Sequence, residues 1–526
     1  MRFVGLGIDL GSLTRVWNRF PTSGPSIVVG RGYSLLSLTS DSPKRQDMIR
    51  LRRVVATCSV LLIAGCSSIT EGRAVSTLYD PFRAGGLPAQ DGPSGIRDDS
   101  PAPTGEVEDS DGGDVDKLAL LSINDITDFW QQYYSETFDG DFVPVETLRS
   151  YDSDDPSSPT VCGASTYDEP NAFYCPRRNT MAWDRGVLVP NGREFFGDVS
   201  IAALMAHEYG HAIQHMAGLA DDDTPVLVME QQADCLAGTY IRWVAEGNSP
   251  RFDLSTGDGL NHVLAAGITL RDPLLGPDDD EMLEEGHGTA LDRVSAFQIG
   301  FVSGASECAK IDLDEIEQRR GDLPMTLPVD EYGDVGVGEV PLDEDTLSLL
   351  MDVLGEVYQP EEAPTLSFDQ TACPDAQPSP PASYCPSSNT ISVDLGSMQQ
   401  LGEPADESSY VLLQGDNTAL SVLTSRYALA VQHENGDALD TPVAALRTAC
   451  LTGVAQAAMA DSVTAPGGGS LTLTAGDLDE AVAGLLTNGL AASNVDGQTV
   501  PAGFTRTVAY RSGLSGDRDL CYARFK

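Results

Sequence analysis

The strongest constraint on how this 526-residue chain can fold is that most of it is written twice. Cys162…Cys175-Pro176 lines up with Cys373…Cys385-Pro386. The first run continues Asn179-Thr180-Met181-Ala182-Trp183-Asp184-Arg185-Gly186, the second Asn389-Thr390-Ile391-Ser392-Val393-Asp394-Leu395-Gly396. His207-Glu208-Tyr209-Gly210-His211-Ala212-Ile213-Gln214-His215 then faces Ser425-Arg426-Tyr427-Ala428-Leu429-Ala430-Val431-Gln432-His433. Ala233-Asp234-Cys235-Leu236-Ala237-Gly238 faces Thr448-Ala449-Cys450-Leu451-Thr452-Gly453, and Arg293 precedes Cys308 as Arg506 precedes Cys521. Matching blocks in one order require two units of the same outline, at 117–312 and 340–526, joined by a Gly- and acid-rich linker at 313–339. Each is long enough to be a domain of its own.

Lys and Arg number 32 against 79 Asp and Glu, a net charge of −47. Binding nucleic acid needs clustered cations to neutralise phosphates, so no nucleic-acid partner is expected. The repeat also organises the 10 cysteines. Setting aside Cys58 and Cys66 leaves four per unit in matching places, and equivalent pairing in both units gives Cys162–Cys175 with Cys235–Cys308, mirrored by Cys373–Cys385 with Cys450–Cys521. Such bonds belong to an exported protein.

An address is written before the units. Met48-Ile49-Arg50-Leu51-Arg52-Arg53 is basic, and Val54 to Gly65 is an apolar run too short to span a membrane. It ends in Ile63-Ala64-Gly65-Cys66, so 48–66 reads as a secretory signal whose end resembles a bacterial lipobox, with Cys66 lipidated. Residues 1–47 have no place in that scheme and read as a spurious extension upstream of a start at Met48. Gly5-Leu6-Gly7 with Gly11 lies there without a preceding strand and is no dinucleotide site. The stretch 67–116 is rich in Gly, Pro, Ser and acids, and composition predicts a disordered tether. Such a tether would hold the first unit about 40 Å from the outer face of the cell membrane.

The chemistry is concentrated in the first unit. His207-Glu208-Tyr209-Gly210-His211 is an H-E-x-x-H pattern, and its Ala202, Leu204, Met205, Ala212, Ile213 and Met216 stripe predicts a helix. Asp198 or Ser200 would start it and Gly218 end it. Residues four apart share a helix face, so both imidazoles can reach one Zn2+ with Glu208 beside its water. Thr224-Pro225 opens a second helix, on which Glu230 and Asp234 are again four apart. Glu230 completes a His₂Glu ligand set that leaves a position open, and Asp234 can orient a ligating imidazole. Ala217 stands where another zinc-peptidase pattern needs a third histidine. His287, in Gly286-His287-Gly288-Thr289 after the acidic run 278–285, is a candidate to stabilise a developing oxyanion.

This order resembles the neutral zinc metallopeptidases of bacteria. The resemblance is carried by Trp130-Gln131-Gln132, Phe173-Tyr174-Cys175-Pro176, the H-E-x-x-H run, Glu230-Gln231-Gln232-Ala233-Asp234-Cys235 and His287-Gly288-Thr289. Within that family it looks most like the lipoprotein peptidases of mycobacteria and their relatives. The resemblance covers about 120–310 and implies a zincin-like α+β fold, zinc ligands His207, His211 and Glu230, and Glu208 as base. In the second unit Ser425, Arg426 and Leu429 replace His207, Glu208 and His211, and Ala445 and Ala449 stand opposite Glu230 and Asp234. That unit is expected to be a degenerate, metal-free copy. Tyr209, Gln214 and His215 persist there as Tyr427, Gln432 and His433, so all three are expected to serve packing. The expected function is a lipid-anchored, extracytoplasmic zinc endopeptidase acting on a peptide or protein substrate. The alternatives are a non-catalytic anchored binding protein and a zinc amidase acting on cell-wall peptides.

Overall fold

The computed structural model describes residues 67–70, 73–221, 223–276, 283, 286–327, 338–369, 372–407 and 411–526. The extension 1–47, the signal with Cys66, and nearly all of the acidic run 278–285 lie outside the described residues. Ser67–Thr70 and Arg73–Ser76 form a hairpin by themselves.

Residues 77–526 contain both repeated stretches in one compact unit. In the N-terminal half, helix α1 (Asp114–Thr137) is followed by strands β1 (Thr147–Tyr151), β2 (Ala172–Cys175) and β3 (Thr180–Asp184). Strand β3 is central, parallel to β1 with Thr180 opposite Thr147, and antiparallel to β2 with Thr180 opposite Cys175. Its burial is complete along its length because helices cover one face and a loop cluster around Tyr151 and Val161 the other. Helices α2 (Asp198–Ala217), α3 (Val226–Ala245), α4 (Asp258–Thr269) and α5 (Ala290–Ser303) follow. The apolar stripe predicted for α2 is buried through Ala202, Met205, Ala212 and Ile213, and Gly218 closes the helix at φ +66°. At its start Asp198 is the first helical residue and Gly197 the cap.

The C-terminal half has elements in the same order. These are α6 (Glu344–Tyr358), β4 (Thr365–Ser367), β5 (Ala382–Cys385), β6 (Thr390–Val393), α7 (Asp416–Glu434), α8 (Pro442–Ala460), α9 (Asp477–Thr487) and α10 (Gly503–Leu514). Strand β6 is central, parallel to β4 and antiparallel to β5. Disulfides join Cys162–Cys175, Cys235–Cys308, Cys373–Cys385 and Cys450–Cys521, the pairing expected from the repeat. Close helix crossings also recur. A Cβ on Gly300 of α5 would lie 1.7 Å from the Cys235 carbonyl oxygen of α3, and one on Gly513 of α10 would lie 1.8 Å from that of Cys450 on α8. Only glycine allows backbones so near.

Two boundaries differ from the expectation. The segment 77–116 is not a free tether but a strap laid on the folded unit. Gly95–Ile96 pairs with Phe252–Asp253, the Gln90 amide donates to Thr256 Oγ1 at 3.0 Å, and Ala84 is fully buried. The strap also reaches the C-terminal half, where Thr505 donates to the Arg83 carbonyl and Tyr79 packs edge-on against Phe525. Composition misjudged it because a chain poor in apolar side chains still orders when its backbone groups find partners on a neighbouring surface. The linker, in turn, begins as a helix, Leu313–Arg320, which sends Arg320 to Asp292 at 2.9 Å.

Candidate active site

Helices α2 and α3 build the site between them. They lie close because Gly210 faces Ala233, where an added Cβ would meet the Ala233 Cα at 3.0 Å. His207 and His211, one turn apart on α2, set their rings perpendicular with centroids 5.0 Å apart. Glu230 of α3 faces both: its Oε2 is 3.0 Å from His207 Nε2 and its Oε1 3.5 Å from His211 Nε2. One ligand atom from each of the three falls within 4.8 Å of the others. Donors around a tetrahedral zinc at about 2.0–2.1 Å stand roughly 3.3 Å apart, so the donor set and its spacing fit that ion.

Each imidazole is held from behind. His207 Nδ1 donates to Asp234 Oδ1 at 2.8 Å and His211 Nδ1 to Gln214 Oε1 at 2.9 Å, which leaves both Nε2 lone pairs on the Glu230 side. Asp234 in turn takes Arg293 Nη2 of α5 at 2.8 Å. Gln214 is fixed by donating to the Met229 carbonyl at 2.6 Å and to Gln232 at 3.1 Å. The packing role expected for Gln214 is therefore only part of its work, and Arg293 adds a contact that sequence matching did not reveal. Tyr209 does pack, its hydroxyl meeting Thr127 at 3.2 Å, whereas His215 is exposed and belongs to neither core nor site.

The electrostatics centre positive charge between the ligands. Burial would lower His207, but Asp234 and Glu230 outweigh it and hold the imidazole up at about 10. Burial would raise Glu230, yet His287, His211 and His207 keep it well below the usual carboxylate range. Glu208, on the same turn, responds oppositely: burial pushes it up to about 7, the range suited to a general base. His211 is lowered by burial, which favours its neutral, ligating form.

His287 closes one side. Its Nε2 lies 3.8 Å from Glu230 Oε2, and its Nδ1 3.4 Å from Asp272 Oδ1. Burial would lower it, but Glu230 and Asp272 together outweigh that and leave it raised. The Asp272 carboxylate also accepts the His287 and Gly288 amides at 2.9 and 2.7 Å, and Gln231 Nε2 donates to the His287 carbonyl at 3.0 Å.

In the C-terminal half the positions matching His207, His211 and Glu230 are Ser425, Leu429 and Ala445, all fully buried. Arg426 is fully buried, its guanidinium donating to the Ala382 carbonyl at 2.7 Å and to Ser493 Oγ at 2.8 Å. Ala449, which matches Asp234, is likewise part of the hydrophobic core. No curated protein and no solved structure matches the chain. The model of one family does match, described as putative neutral zinc metallopeptidase, and the residues it covers, 97–311, include every side chain of this site.

Proposed function

We propose that this chain is an exported, lipid-anchored zinc endopeptidase whose single site lies in its N-terminal half. One observation carries the reading: His207, His211 and Glu230 converge, with Glu208 adjacent and raised to about 7. A zinc held by His207, His211 and Glu230 would supply Lewis-acid chemistry at the scissile carbonyl and acidify the attacking water. Glu208 takes the water's proton and returns it to the leaving amine. Asp234 and Gln214 hold the two imidazoles in the tautomer that ligates through Nε2, and His287 is read as a donor to a developing oxyanion, supported by its place beside Glu230. Residues 340–526 are read as a copy that has lost its metal, supported by the common element order and by Arg426, fully buried where the N-terminal half has Glu208. Four disulfides and the 48–66 signal pattern support an oxidising, extracytoplasmic address with Cys66 as the anchor.

Metal analysis with casein hydrolysis tests this. Wild type should hold one zinc per chain and cleave, His207→Ala should lose the metal, and Glu208→Gln should keep it while losing about 10²–10⁴-fold in turnover. A Glu208→Gln protein cleaving at the wild-type rate, or two tightly held zincs, would overturn the assignment. Cys66→Ala should move the protein out of the membrane fraction, and continued lipid labelling of that variant would overturn the anchor.

A further inference from the structure

We infer that Asp479, contributed by the C-terminal half, is a positioning residue for the active site of the N-terminal half. The inference rests on the peptidase reading above. Asp479 is the third residue of α9 and 4% exposed. Its Oδ2 accepts the Ala290 amide at 3.0 Å and its Oδ1 the Leu291 amide at 3.1 Å. These are the first two amides of α5, which no carbonyl within that helix can satisfy. A carboxylate there also meets the positive end of the helix dipole.

Helix α5 begins three residues after His287. Between them Thr289 caps the helix reciprocally with Asp292. The turn is gripped from its other side too, because Asp272 holds the His287 and Gly288 amides and donates its own amide to the Gly288 carbonyl at 3.1 Å. The neighbouring Arg271 is pinned to the C-terminal half, with two bonds to Glu407 at 2.8 and 2.9 Å and its Nε 3.6 Å from Asp479 Oδ2. Both ends of the His287 turn are thus tied to residues 340–526. Position matters at this turn because His287 Nε2 stands 3.8 Å from the ligand Glu230, and small displacements of reacting groups are costly.

The reverse contact exists and is weaker in kind. Asn261 of α4 accepts the Gly503 amide at the start of α10 at 3.0 Å, a single bond from a neutral side chain. Each half therefore caps the other's helix, but only the contact toward the zinc site uses a charged, two-amide cap.

The test uses the zinc-loaded full chain. Asp479→Asn should retain one zinc, lower kcat about tenfold and leave KM within about twofold, the scale of losses at supporting groups. In a His287→Ala background the same change should cost nothing further, since Asp479 acts through His287. Asn261→Ala, an equivalent lesion on the non-catalytic side, should leave kcat unchanged. Independent multiplication of the Asp479 and His287 losses, or an equal kcat loss in Asn261→Ala, would overturn the proposal. Hydrogen exchange needs no turnover and so stands apart from the peptidase reading. Amides 288–291 should exchange about tenfold faster in Asp479→Asn, and unchanged exchange would overturn the clamp. If Asp479→Asn misfolds, Glu407→Gln frees Arg271 from the exposed end of the same network and should show smaller changes of the same sign.

Discussion

A neutral imidazole binds metal through one nitrogen only if the other is held as a donor, and here that duty falls to two unlike groups, Asp234 on His207 and Gln214 on His211. Gln214→Leu keeps the bulk, removes the acceptor and should weaken zinc binding about tenfold, as competition with a chelator would show, and should also lower the melting temperature because the Met229 carbonyl and Gln232 lose their donor. Asp234→Asn should cost more, because Arg293 then also loses its carboxylate and is left buried beside a neutral amide. That His207 and His211 share a face was legible in sequence because four-residue spacing is a local property of a helix. Gln214 was not: its counterpart Gln432 donates to Thr448 at 2.8 Å and accepts from Arg447, a purely structural role that hid the other. Arg293 was visible as a repeated residue, but its counterpart Arg506 bonds only carbonyls, at Leu485, Leu486, Val500 and Pro501. Long-range partners of this kind leave no periodic trace.

Pairs of helices decide how rigidly those residues are presented. Crossing α3 over α5 depends on Gly300, and Gly300→Ala should destabilise the N-terminal half by about 3 kcal/mol, since its Cβ meets a carbonyl that cannot move aside. Calorimetry would show it as a lowered melting temperature. Reducing Cys235–Cys308 beside that crossing releases a loop of 73 residues and removes roughly 4 kcal/mol in the chain-entropy account. In the C-terminal half the starts of α7 and α9 bring Asp416, Asp477 and Glu480 together near Glu339, with Asn417 and Asp416 amides donating to Glu480 and Glu339 at 2.8 and 3.0 Å. Burial first, and then mutual repulsion, raises all three. A raised carboxyl binds a proton that the unfolded chain has already released, so its contribution to stability is present below about pH 4 and is lost as pH rises through its folded value. Asp477 is pushed up to about 8, so melting temperature should fall between pH 5 and 8, and Asp477→Asn should flatten that fall. A slope unchanged in Asp477→Asn would rule this out. Two units of one outline were readable from the repeat, whereas the strap was not, because it orders by lending backbone hydrogen bonds to a surface that only the fold creates.

At the scale of the whole molecule, the disulfides each stay within one half, so nothing covalent but the chain itself joins 77–327 to 338–526. What else holds them is the reciprocal capping, the strap, and apolar contacts such as Phe301 on Phe504 at 5.0 Å. Cutting an engineered protease site placed at 328–337 should therefore leave one particle by native size-exclusion and retain zinc and turnover. Two separated peaks would show the contacts insufficient. The capping of each half by the other has an ancestral consequence. Two identical subunits meeting in this way would form a closed pair with two working sites, each buttressed by its neighbour. Fusing such a pair into one polypeptide would free one copy to carry Ser425, Leu429 and Ala445 where the other carries His207, His211 and Glu230, so long as it kept a carboxylate such as Asp479 against the first amides of α5.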